Sequence, residues 1–175
     1  MKEIIKNLYY ALFKEDLIQI QTKEVKVYIK EETPKPPRTN RDKLLELAIF
    51  HYDTDPTPKD EHPDEFACVH SLTTILKKLL PDFKVISYTP DLLKVLQKDT
   101  RFKPTTEFKE GNIIISPTLS GNGTVIGHTG IIGRDGKIYS NASSTGLWYD
   151  KYDLISWIDR YSRKGGLSLY IFEIQ

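Results

Sequence analysis

From Gly111 to Gln175 the chain is cut into short apolar stretches by glycine-rich turns: "NIIISP", "HTGIIG", "KIYSNAS" and "LSLYIFEI". Each is too short for a stable helix and is bounded by turn residues, so each reads as a strand. One helical stretch, "YDLISWIDRYS", stands before the last of them. Before Gly111 the texture is helical. "RDKLLELAIFHY" follows a cap at Thr39 or Asn40. A second helix carries Cys68, opened by Pro63 and Asp64 and closed near Leu80 by "LLPDF". A third, "TPDLLKVLQ", has Thr89 as N-cap and Pro90 at the first helical position, where a missing N–H costs nothing. "FKVISY" between the last two reads as a short strand. A run of helices followed by an antiparallel sheet is an α+β pattern.

The N-terminal segment is separate. Residues 2 to 18 form an amphipathic pattern with Ile4, Ile5, Leu8, Leu12 and Phe13 at helical spacing. "EVKVYIK" alternates like a strand, and "TPKPPRTNR" (Thr33 to Arg41) favours extended polyproline geometry, as a connector does. The division is an appendage over 1–37 and a main domain over 38–175. The 175 residues carry 25 Lys and Arg against 24 Asp and Glu, and that balance argues against a nucleic-acid partner, which needs clustered excess cations. One cysteine excludes an internal disulfide framework and any multi-cysteine zinc site. The N-terminus, "MKEIIKNLYYALFKEDLIQIQ", lacks an uninterrupted apolar core and a small-residue cleavage site, so it is not read as a signal peptide. No apolar run approaches the ~20 residues of a membrane span. The expectation is a protein made in a cytoplasm, which would need release to act outside.

Cys68 lies in "DEFACVHS" (Asp64 to Ser71), two residues before His70. Residues i and i+2 of a helix are about 200° apart and do not face each other. Cys68 shares a stripe with Leu72, Ile75 and Leu79; His70 falls with Thr73, Thr74 and Lys77 on the stripe expected to be solvated. A lone cysteine on an apolar stripe is ordinarily a core thiol. Against that, the first turn of a helix favours a thiolate through the macrodipole, and a distant segment supplies a histidine. His128 opens a strand directly after the glycine-rich "SGNGTVIG". Gly130, on its face, leaves room for a close approach.

Asn141 on the following strand is the candidate to orient His128. A two-residue turn at Asp135-Gly136 makes Asn141 the diagonal neighbour of His128. A four-residue loop over Gly133 to Gly136 puts it directly opposite. A three-residue loop puts it on the other face. With either even-length turn, Asn141 and not Ser140 shares the face of His128. Thiol, imidazole and amide then stand in the order Cys68, His128, Asn141: the imidazole deprotonates the thiol, the amide fixes its tautomer, and the thiolate attacks a carbonyl. The backbone N–H of Cys68 is the natural oxyanion donor.

"FACVHSLTTIL", "EGNIIISP" and "GHTGIIGRDGKIYSNASSTG" resemble, in this order, the CHAP and NlpC-type branch of the papain-like cysteine peptidases. The resemblance spans roughly Asp64 to Gln175. It departs at Asn112, where the family often has Asp, and at Thr129, where it often has Val. It implies a papain-like α+β fold, with the cysteine-bearing helix packed on a small antiparallel sheet. It also implies cleavage of amide bonds in bacterial peptidoglycan, as in phage endolysins and cell-wall hydrolases. A lysin-like protein without a signal peptide fits release by a holin or carriage on a virion. Two alternatives stand beside this: a papain-like isopeptidase, transamidase or deamidase acting on proteins, and a non-catalytic virion or interaction module.

"DTDPTPKDEHPDE" (Asp53 to Glu65) is an acidic, proline-punctuated loop. Asp53, Asp55, Thr57, Glu61 and Asp64 have a spacing loosely like a calcium loop, but Pro58 stands where an EF-hand needs glycine. Some CHAP relatives hold calcium beside the cysteine helix, so calcium near Asp53 and Asp55 is the one cofactor considered; no other cofactor is expected. His51, His62, His70 and His128 share no usual zinc spacing. Trp148, in "STGLWYD", is a candidate lining for a substrate cleft.

Overall fold

Thr39 starts the first helix by a reciprocal exchange. Its hydroxyl accepts the Asp42 N–H at 3.1 Å, and the Asp42 carboxylate accepts the Thr39 N–H at 2.9 Å. This capping box satisfies two donors that a helix start leaves open. The computed structural model describes residues 38–57, 67–119 and 125–175, and Arg38–Gln175 forms one compact unit. The helix read over 2–18, the strand in "EVKVYIK", most of the proline connector, the Pro63–Asp64 helix start, the acidic loop beyond Thr57 and the tip of "SGNGTVIG" lie outside the described residues.

Three helices come first: α1 (Asn40–Phe50), α2 (Cys68–Leu79) and α3 (Thr89–Lys98). Then follow β1 (Phe102–Thr105), β2 (Ile113–Ser116), β3 (His128–Ile132), β4 (Lys137–Asn141) and β5 (Trp148–Asp153). A short α4 (Leu154–Trp157) runs into a π-helical stretch, Ile158–Lys164, before β6 (Tyr170–Ile174). The strands form one antiparallel sheet in the order β1-β6-β2-β3-β4-β5. The mixed helical and antiparallel architecture is the α+β class read from the sequence. β1 and β5 were missed. β1 contains Pro104, which can occupy a strand only where its missing N–H faces away from a partner, and β1 is indeed an edge.

Both faces of the sheet are covered, which explains the unbroken apolar run of β2. Ile113 and Ile115 face a core with Leu44, Leu72, Ile75 and Leu92 from α1–α3. Ile114 faces the other way, with Ile132, Ile138, Trp157 and Tyr161.

"FKVISY" is not a strand. The Ile86 N–H and carbonyl bond the Thr73 hydroxyl at 3.0 and 3.1 Å, so a helix side chain takes the place of a ladder. Thr89 is the first residue of α3 rather than its cap. Its hydroxyl instead bonds the Thr118 hydroxyl and accepts the Thr118 N–H, both at 2.9 Å, tying α3 to the exit of β2.

Candidate functional site

Cys68 is the first residue of α2, whose contacts with β3 and β4 seat it on the sheet. The thiol is buried, 8% exposed. The expectation of a thiolate favoured by the helix start is corrected here. The N–H groups of Thr129, Val69 and Cys68 itself favour the thiolate, but burial outweighs them and pushes the thiol up to about 11. In a dry site the charged form loses more hydration than a few dipoles restore.

His70 is also buried, not solvated. Cys68 through Thr73 are all buried because the segment around Ile86 and the side chain of Thr57 cover the polar side of α2. Helical periodicity detects only the apolar face; it does not reveal that a loop covers the other.

The turn between β3 and β4 settles the parity of the next strand. Arg134–Gly136 form three residues of 3-10 helix, with Asp135 at φ 54° and Gly136 at φ 71°. The pairs Ile131 with Tyr139 and Ile132 with Ile138 carry the register back so that Ala142 lies across from His128. The odd-length turn therefore overturns the expectation that Asn141 shares the face of His128. Ser140 lies on that face; Asn141 lies on the face of α2, and its Nδ2 donates to the Gly146 carbonyl at 2.7 Å. A one-residue change in a turn exchanges the faces of a whole strand.

His128 itself sits opposite α2, in an aromatic cradle. Its ring stacks on Tyr161 (centroids 5.4 Å, 20°), tilts over Trp157 (5.3 Å, 33°) and meets Tyr152 edgewise (5.7 Å, 72°). Burial, and after it the positive charges of Arg160 and Lys151, push its pKa down to about 3. Its Nε2 is buried without a hydrogen-bond partner, as is the Ser140 hydroxyl. Gly130 does not open space for a ligand. A Cβ there would lie 2.5 Å from the Tyr139 carbonyl oxygen, so glycine is required by the neighbouring strand.

Cys68 and His128 are not hydrogen-bonded. The thiol meets β3 at Thr129, the residue after His128, and the imidazole points to the opposite face. Both nevertheless line one cleft of about 890 Å³, at the end of the sheet where β3 begins and β4 ends. Asn141 lines it too. Trp148 does not: it is fully buried, and its Nε1 donates to the Ala48 carbonyl at 3.1 Å. The cleft aromatics are Tyr88, Tyr152 and Tyr161. The i, i+4 spacing of Trp157 and Tyr161 in "YDLISWIDRYS" was the available signal for an aromatic stripe.

Calcium gains no support from Asp53 and Asp55. The Asp55 carboxylate accepts the Thr57 N–H at 2.8 Å, and among the described residues no group of three His, Cys, Asp or Glu could hold a metal. Glu61 and Asp64 lie outside the described residues. No helix among those residues is long and apolar enough to cross a membrane.

No family model matches the chain, no curated protein matches it, and no solved structure matches it.

Proposed function

We propose that this chain is a papain-like, cysteine-dependent hydrolase of peptide or amide bonds, with peptidoglycan as its substrate. The observation that carries the reading is the shared cleft: a single thiol at a helix start and an unpartnered imidazole both border it. Cys68 is the nucleophile. His128 takes the proton from Sγ and later gives it to the leaving amine; water then hydrolyses the thioester. The Cys68 N–H faces the developing oxyanion. In the resting protein both partners are neutral, since burial disfavours thiolate and imidazolium alike. The reaction therefore requires His128 to leave its aromatic cradle and turn round the end of β3 toward Sγ. Asn141, already on the thiol's face, can accept the imidazole N–H only after that turn.

Sheet parity favours a second reading. The thiol and imidazole lie on opposite faces, as they would in a binding module of a virion or assembly without catalysis. Zymography on purified cell walls separates the two. A clearing band that vanishes in Cys68→Ala and in His128→Ala supports hydrolysis. No band from folded protein, or a band that survives Cys68→Ala, overturns it. Mass spectrometry of the released fragments identifies the bond by its new termini.

A further inference from the structure

The side of the cleft bordered by β5 and the π-helical stretch has a consistent charge. Lys151, Arg160 and Lys164 line it, and no acidic residue does among the described residues. Lys164 is neutralised by Asp159 at 2.6 Å. Lys151 and Arg160 make no ion pair among the described residues. Each lies instead beside an aromatic ring: Lys151 Nζ is 5.8 Å from the Tyr152 centroid, and Arg160 Cζ is 5.6 Å from that of Tyr161. Those two rings are neighbours, with centroids 5.8 Å apart and hydroxyls 3.2 Å apart. Each cation thus lies near one of two adjoining rings, and His128 packs against the same rings. Its Nε2 is buried and unpartnered, and His128 lines the same cleft.

We propose that Lys151 and Arg160 form an oxyanion subsite that takes a carboxylate of the peptide substrate beside His128. The naming of a peptide rests on the hydrolase reading; the anion subsite itself rests on the uncompensated cations. Arginine pairs with a carboxylate through two parallel N–H donors, and lysine adds a point charge. The walls nearby are apolar, with Val69, Val125 and Ile126, which suits a peptide chain carrying one charge. Binding there offsets the two positive charges that add to burial in keeping the imidazole neutral. A carboxylate-bearing substrate therefore makes His128 a better base as it docks.

The test is binding to the full-length Cys68→Ala protein, followed by tryptophan fluorescence. The probes are a peptidoglycan stem tetrapeptide with free carboxylates and the same peptide fully amidated. The free acid is expected to bind at least ~10-fold tighter, a margin typical of charge-assisted pairing. Arg160→Gln and Lys151→Gln should each remove several-fold of that ratio and leave the amidated peptide unaffected. Equal affinity of the two peptides, or a ratio unchanged in both variants, overturns the subsite. Inorganic phosphate binding at Arg160 as tightly as the free-acid peptide overturns the carboxylate assignment. Failure of the hydrolase reading shows separately: walls left intact by the parent protein, with the affinity ratio preserved, leave the subsite standing.

Discussion

On one face of the sheet, Leu72, Ile75, Leu76, Leu92 and Ile131 pack as an apolar core beneath three helices. On the other, Tyr152, Trp157 and Tyr161 surround a histidine, with the unpartnered Nε2 of His128 and hydroxyl of Ser140 among them. Buried polar groups without partners are rare in folded proteins and carry a desolvation cost. The helical side carries one as well, the buried Nε2 of His51 at the end of α1. What sets the second face apart is that its unpartnered imidazole sits among aromatic rings at the cleft, where the first face brings an apolar-packed thiol. The two candidate reacting groups are divided between these environments, and burial keeps each uncharged for its own reason.

The sharpest way to break that contrast is to truncate the apolar face. Leu72 is fully buried, so Leu72→Ala should lower unfolding free energy by about 2–5 kcal/mol in urea denaturation. A loss below 1 kcal/mol would mean that α2 is loosely seated and the two faces do not differ in packing.

His128 supplies the next test. Its folded pKa, about 3, lies below the ordinary 6.5. Below pH 6.5 the unfolded chain binds a proton that the folded chain refuses. Its contribution to stability is thus complete above pH 6.5 and is lost as pH falls toward 3, with a slope of up to ~1.4 kcal/mol per unit. By pH 5 that amounts to about 2 kcal/mol. His128→Phe, which keeps an aromatic ring in the cradle, should remove this part of the pH dependence. His51, also depressed by burial, continues to titrate in both proteins and so cancels from the comparison. Identical urea midpoints versus pH in the two proteins would place His128 in water rather than in the cradle.

The smallest effects come from the neighbours Ser140 and Asn141. Asn141→Ala removes the bond to the Gly146 carbonyl and should cost about 1 kcal/mol. Ser140→Ala removes a hydroxyl that has no partner and should be neutral or stabilising, within about 0.5 kcal/mol. Thermal melts measure both. A reversed order would mean that the β3–β4 register is shifted by one residue.

Much of this architecture was legible locally. Thr39, one of the two caps read for α1, starts that helix. The short apolar stretches bounded by turn residues became β2, β3, β4 and β6, and the helical stretches before Gly111 became α1, α2 and α3. The sequence places Cys68 within the first turn of a helix opened by Pro63 and Asp64, whereas α2 begins at Cys68 itself. What escaped depended on segments far apart in the chain. β1 became a strand only because β6 pairs with it, and "FKVISY" failed to become one because Thr73 supplies its hydrogen bonds.

The site shows the same division. The amino-acid sequence by itself determined that a thiol, an imidazole and an amide occur in that order, on a helix start and two adjacent strands. Only the tertiary structure decided which way they point and what charge they carry. A strand's parity depends on the length of its turn, and three residues at Arg134–Gly136 exchange Asn141 for Ser140 beside His128. The ionisation of Cys68 and His128 depends on how much water is excluded by helices and aromatic rings contributed from elsewhere. Neither quantity is a property of a residue and its neighbours in sequence, because burial is summed over every segment that packs against the group.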